Sequence, residues 1–162
     1  LGEMTEWLER EGVEYGIVPG VSSFLAAAAV LGRELTVPDV AQTIIVTRSE
    51  GRTGMPEQEK LADLAKHRTT LVIFLSAQVI HKIVGDLRTA YPDDTPVAVV
   101  HRISWPDQKV LRGTLKDIAQ KVIDAEIYMT AIVVVGEALT AKGHTSKLYD
   151  EKFSHSFRRA KK

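Results

Sequence analysis

Apolar residues at helical spacing open the chain: Met4, Trp7 and Leu8 share one face of a predicted helix over Glu3–Glu11, which Gly12 is suited to end. Tyr15–Val18 is a continuous apolar run, and Glu14–Val18 predicts a buried strand. An Ala-rich helix is expected over Ser22–Leu31, closed by Gly32, with Thr36–Asp39 as an exposed connection. Gln42–Thr47 is dense in β-branched residues and predicts a second strand. From Arg48 to Pro56, two glycines, a proline and two arginines mark an exposed loop. Glu57–Lys66 then carries Leu61, Leu64 and Ala65 at helical spacing, with acidic residues early and lysine late, as the helix dipole favours.

Thr69–Leu75 is apolar throughout, as in a central strand covered on both faces, and a helix is predicted over Ala77–Thr89. After a turn at Tyr91–Pro96, Pro96–Arg102 and Lys109–Gly113 read as two strands joined closely enough to form an antiparallel hairpin. Thr114 is placed to cap a helix over Leu115–Ala125, and Thr130–Val135 is the last strong strand. Lys142–Lys162 reads as an extended polar, basic tail with a frayed end. The alternation predicts an α/β fold: a mixed five-stranded sheet flanked by helices.

Composition narrows the function classes. Of 162 residues, 21 are Lys or Arg and 21 are Asp or Glu, so no nucleic-acid or anionic-membrane partner is expected. A hydrophobic share of 44% suffices for a packed core, and no apolar run is long enough to span a bilayer, so a cytoplasmic location is expected. Cysteine is absent, which rules thiolate catalysis and disulfides out of this chain, and the five histidines show no metal-ligand spacing. The first residues already look like helix interior, so the chain is expected to be a fragment.

Val18-Pro-Gly-Val-Ser-Ser23 joins the first predicted strand to a helix through a turn at Gly20, with Ser22 or Ser23 placed to cap the helix. Such a junction suits a small polar ligand, and it is also what any strand-to-helix turn looks like. No G-x-G-x-x-G and no Gly-rich loop ending in Lys-Ser/Thr is present. Arg48, Arg52 and Arg102 lie near predicted strand ends, where guanidinium forks could hold carboxylates; the alternative is solvation, or pairing with Glu50 and Asp107. His101 is a proton carrier or a structural histidine, and Trp105-Pro106 anchors the hairpin connection or covers a ligand. Thr130-Ala131 is small enough to let a flat ring lie against the backbone.

These segments together resemble the C-terminal portion of the tetrapyrrole methylases. The resemblance rests on Val18–Ala29, Gln42–Thr53, Leu71–Ser76, Arg102–Asp107 and Ser146–Asp150, and it covers essentially the whole chain. The P-G-V-S-S element marks the superfamily. The E-G-R-T, S-W-P-D and S-K-L-Y-D segments resemble the branch that methylates carbon 11 of a corrinoid precursor, precorrin-4 or its cobalt form. The resemblance implies S-adenosyl-L-methionine as donor, S-adenosyl-L-homocysteine as product, a tetrapyrrole acceptor and a homodimer. It implies cofactor contacts at Pro19, Gly20, Val21, Ser22, Ser23, Leu75, Ser76, Arg102, Ile103, Thr130 and Ala131, with Ile103 bulkier than the small residue expected there. Arg48 and Arg52 are the candidates for the acceptor's carboxylates; no general base and no metal ligand is assigned. The implied division is residues 1–13 as the end of an N-terminal region, 14–145 as the C-terminal α/β domain and 146–162 as a tail. The family's glycine-rich G-x-G-P-G-D turn is absent from these residues, so the fragment would hold half a pocket. Another ring-position specificity, or a non-catalytic α/β binding or dimerisation domain, is the competing expectation.

Overall fold

A computed structural model describes residues 1–51, 54–142 and 146–159. Helices α1 (Gly2–Arg10) and α2 (Ser23–Leu31) come first, and β1 (Ile44–Arg48) follows. Then come α3 (Leu61–Ala65), β2 (Thr70–Phe74), α4 (Ile80–Leu87), β3 (Pro96–His101), β4 (Lys109–Thr114), α5 (Ile118–Asp124) and β5 (Ala131–Val135). The five strands lie in the order β1-β2-β5-β3-β4. β1 pairs parallel with β2, and the remaining pairs are antiparallel. The expected mixed sheet is therefore present, including the β3–β4 hairpin.

Alternation along the strands divides the core between two faces. Leu71, Ile73, Val97, Val99, Val133 and Val135 pack with Leu61 of α3, Ile83 and Leu87 of α4, and Ile118 and Val122 of α5. Val72, Ala98, Val100, Ile132 and Val134 face the other way, against Ala27 and Leu31 of α2 and Leu139. Covering on both faces explains why β5, and β2 from Leu71 onward, are apolar without interruption. Gly32, at φ 61°, ends α2 in the left-handed region as expected.

Several expectations are corrected. Glu14–Val18 is not a buried strand: residues 13–22 have no regular structure, and Val18 is 89% exposed. An apolar run becomes a strand only where a sheet edge offers it backbone partners, and among the described residues none does. Gly20 has no left-handed φ and open space around it, so glycine is not required there. Ser22 is the N-cap residue of α2, yet its side chain makes no capping hydrogen bond. α5 starts at Ile118 because Asp117, not Thr114, precedes it; the Asp117 carboxylate accepts from the Thr114 N–H at 2.7 Å and pairs with Lys121 at 2.6 Å. The tail is folded on itself: the Arg158 guanidinium donates to the carbonyls of Leu148 (2.8 Å) and Asp150.

Tyr91 ties the turn after α4 to β2. Its hydroxyl donates to the Thr69 carbonyl at 2.5 Å, and burial pushes its pKa up to about 12 from the usual 10.0. A raised folded-state pKa means that this stabilisation is complete below pH 10 and is lost as pH rises towards 12. Tyr91→Phe is expected to cost about 1 kcal/mol at neutral pH. It should also flatten the alkaline limb of stability, read by urea unfolding at stepped pH.

Candidate functional site

One end of the sheet gathers three chain segments because β5 runs antiparallel to both its neighbours. In that register, Ile73 pairs with Val133 and His101 with Ala131, so the ends of β2 and β3 lie beside the start of β5. The Arg102 N–H donates to the Thr130 carbonyl at 2.9 Å and closes this junction. Leu75 (φ 53°), Arg102 (φ 49°), Ser104 (φ 71°) and Thr130 (φ 54°) all sit in the left-handed region at this end. Non-glycine residues held there cost energy, and such strain concentrates at ligand sites.

The segments enclose a hollow of about 470 Å³, within the size range of small-molecule sites. Its floor includes Ser76, Ala77 and Ala131, its sides Ile103 and Thr130, and Ser23 reaches it from the first turn of α2. Ser76 is buried and donates its hydroxyl to the Phe74 carbonyl, fixing the turn after β2. Phe74 also walls a neighbouring hollow of about 360 Å³ beside β1, which Arg48, Met55 and Glu59 line.

Six of the expected contacts are thus brought together: Ser23, Leu75, Ser76, Ile103, Thr130 and Ala131. Pro19, Gly20, Val21 and Ser22 are exposed and do not line the hollow. Arg102 is not among the lining residues; its guanidinium pairs with Asp107 and lies over the Trp105 ring. Arg48 lies next door, its guanidinium donating to the carbonyl of Gly54 at 3.0 Å and of Ser49 at 3.4 Å. Arg52 falls outside the described residues. His101 is not among the lining residues; burial first, then the Arg102 charge, lowers its pKa. Tyr128 and Met129 line the rim and were not anticipated; their only sequence signal is an apolar pair immediately before Thr130.

A sequence profile of the Tetrapyrrole (Corrin/Porphyrin) Methylases matches residues 1–119. The chain belongs to that family. Among tetrapyrrole methylases, it is 52% identical over 162 residues to the cobalt-precorrin-4 C(11)-methyltransferase of Methanocaldococcus jannaschii, covering 99% of this chain and 62% of that protein. It is 50% identical to the precorrin-4 C(11)-methyltransferase of Pseudomonas aeruginosa, over 98% of this chain and 64% of that protein. The X-ray structure of a cobalamin biosynthetic enzyme, cobalt precorrin-4 methyltransferase, superposes with a TM-score of 0.83 at 45% identity, over 86% of this chain and 59% of that one. A uroporphyrin-III C-methyl transferase from Thermus thermophilus, complexed with S-adenyl homocysteine, gives 0.67 at 26% identity, over 85% of this chain and 59% of that one. The chain therefore spans a little over six-tenths of the length of the first two relatives, 62% and 64%.

Proposed function

We propose that the hollow at the sheet end forms one wall of the donor site of a methyltransferase that transfers a methyl group from S-adenosyl-L-methionine to carbon 11 of precorrin-4 or its cobalt form. One observation carries this: the ends of β2 and β3 and the start of β5 converge on a strained, 470 Å³ hollow in a chain about half identical to carbon-11 methyltransferases. The lining suits a nucleoside thioether: small side chains at Ser76, Ala77 and Ala131 let a flat ring approach backbone, and Ile103 offers apolar packing. When bound, the donor supplies a methyl already activated by its sulfonium, which leaves with the sulfur as S-adenosyl-L-homocysteine.

The chain's own residues then have to align and dry the site. In this reading the lining contributes position and exclusion of water. Ser23, Leu75, Ser76, Ile103, Thr130 and Ala131 are the donor contacts in this reading, with Pro19–Ser22 leading into the Ser23 corner. Arg48, with Arg52, is assigned to the acceptor's carboxylates. Residues 14–145 form the C-terminal domain, residues 1–13 belong with a preceding region that supplies the facing wall, and 146–162 form a tail. A homodimer in the cytoplasm completes the reading; the half-exposed apolar face of α1, Met4 and Trp7, supports a covered surface. No described helix is long and apolar enough to cross a membrane.

The test is calorimetric binding of S-adenosylhomocysteine to the complete gene product, together with transfer of one methyl to precorrin-4 or its cobalt form followed by mass. The 162-residue chain alone is expected to bind far more weakly. Neither binding nor transfer by the complete protein would sink the assignment.

A further inference from the structure

The loop between β3 and β4 holds its aromatic residue in a way that packing does not explain. Trp105 is 56% exposed. Yet the loop around it is fastened at every turn: Trp105 N–H to the Arg102 carbonyl at 3.0 Å, Gln108 N–H to the Trp105 carbonyl at 3.1 Å, and Ser104 N–H to Gln108 Oε1 at 3.0 Å. Arg102 and Ser104 keep left-handed backbone to make this possible. The Arg102 guanidinium lies 5.4 Å from the centre of the indole and pairs with the Asp107 carboxylate. That pairing holds the Asp107 carboxyl below the usual carboxylate range, so the clamp is charged at neutral pH. An exposed tryptophan is thus fixed in orientation at the cost of backbone strain, which is the signature of a surface prepared for a ligand.

The floor of the hollow is assigned above to the nucleoside of the donor, which leaves the rim for the acceptor. That rim is apolar and open: Leu75 is 82% exposed, Met129 64% and Tyr128 54%, and Trp105 completes it. Flat conjugated rings stack on indole, and the methionine thioether adapts to irregular ring edges.

We propose that Trp105 is the platform on which the tetrapyrrole acceptor stacks, and that Arg102 and Asp107 are positioning residues that hold the indole for it. This rests on the methyltransferase reading above and deepens it, because it moves Arg102 from ligand contact to scaffold. The rival occupant of the rim is another segment of the same protein.

Steady-state kinetics of the complete gene product distinguish these. Trp105→Ala is expected to raise the KM for the tetrapyrrole roughly tenfold, with the donor KM and S-adenosylhomocysteine affinity within about twofold of wild type. Trp105→Phe should recover most of that loss, since a ring is restored. Asp107→Asn should raise the acceptor KM roughly threefold with kcat unchanged, because the indole is no longer held. An unchanged acceptor KM in Trp105→Ala overturns the assignment. So does an equal loss of S-adenosylhomocysteine affinity, which would put Trp105 on the donor. A fall in thermal stability that Trp105→Phe does not reverse would give the rim to the rival segment. A wild-type protein that binds S-adenosylhomocysteine but methylates no tetrapyrrole would remove the underlying reading, and this assignment with it.

Discussion

Gly136→Ala is expected to cost about 3 kcal/mol of stability, whereas the same substitution at Gly85 is expected to add up to about 1 kcal/mol. Gly136 leaves β5 at φ 136°, a conformation open essentially to glycine alone. A Cβ there would meet the Thr69 carbonyl and Thr70 Cα, each at 3.3 Å, and neither backbone can retreat because β2 is buried. Gly85 lies in the exposed face of α4, with nothing within 4 Å of a new Cβ and no unusual φ. Alanine there only reduces the freedom of the unfolded chain. Urea unfolding of the two variants in parallel checks the pair. Equal midpoints would mean that the strand exit at Gly136 is looser than described. Against the 5–15 kcal/mol typical of a domain, the Gly136 change is severe.

Ala131→Leu is expected to lower the affinity of the complete gene product for S-adenosylhomocysteine roughly a hundredfold. Ala131 heads β5, pairs with His101 and lines the hollow, so three added carbons occupy the space assigned to the donor. Because Ala131 is also largely buried, overpacking of about 1–3 kcal/mol accompanies the change, and the titration belongs at a temperature where the variant is fully folded. Ser23→Leu provides the independent check. Ser23 is exposed in the first turn of α2 and lines the same hollow, so its side chain can grow into the cleft without disturbing the core. Wild-type affinity in both variants would remove the donor from this hollow.

What could be read from the sequence follows from burial. Thr69–Leu75, Pro96–Arg102 and Thr130–Val135 are apolar because their strands are covered on both faces, so pattern and structure coincide within a residue or so. Glu14–Val18 carries the same apolar signal and forms no strand, since composition cannot state whether a hydrogen-bonding partner is at hand. At the site, Ser76, Ile103, Thr130 and Ala131 were legible through family resemblance at strand ends, not through local chemistry. Tyr128 and Met129 were not, because two apolar residues before a strand read as core. Their exposure follows only from where β5 inserts in the sheet. The charge of Arg48 was visible, but its loop-carbonyl partners have no sequence pattern.

Among the described residues β5 is the last strand in chain order, and it lies third in the sheet of five. Until Val135 has been synthesised, the described strands can assemble a β1–β2 pair and a β3–β4 hairpin, two flaps with no seam between them. Closing this sheet therefore requires a wholly buried strand to enter between two edges, a long-range pairing that is intrinsically slow. A ribosome stalled before residue 131 would display both edges at once, and each is a template for pairing with another chain.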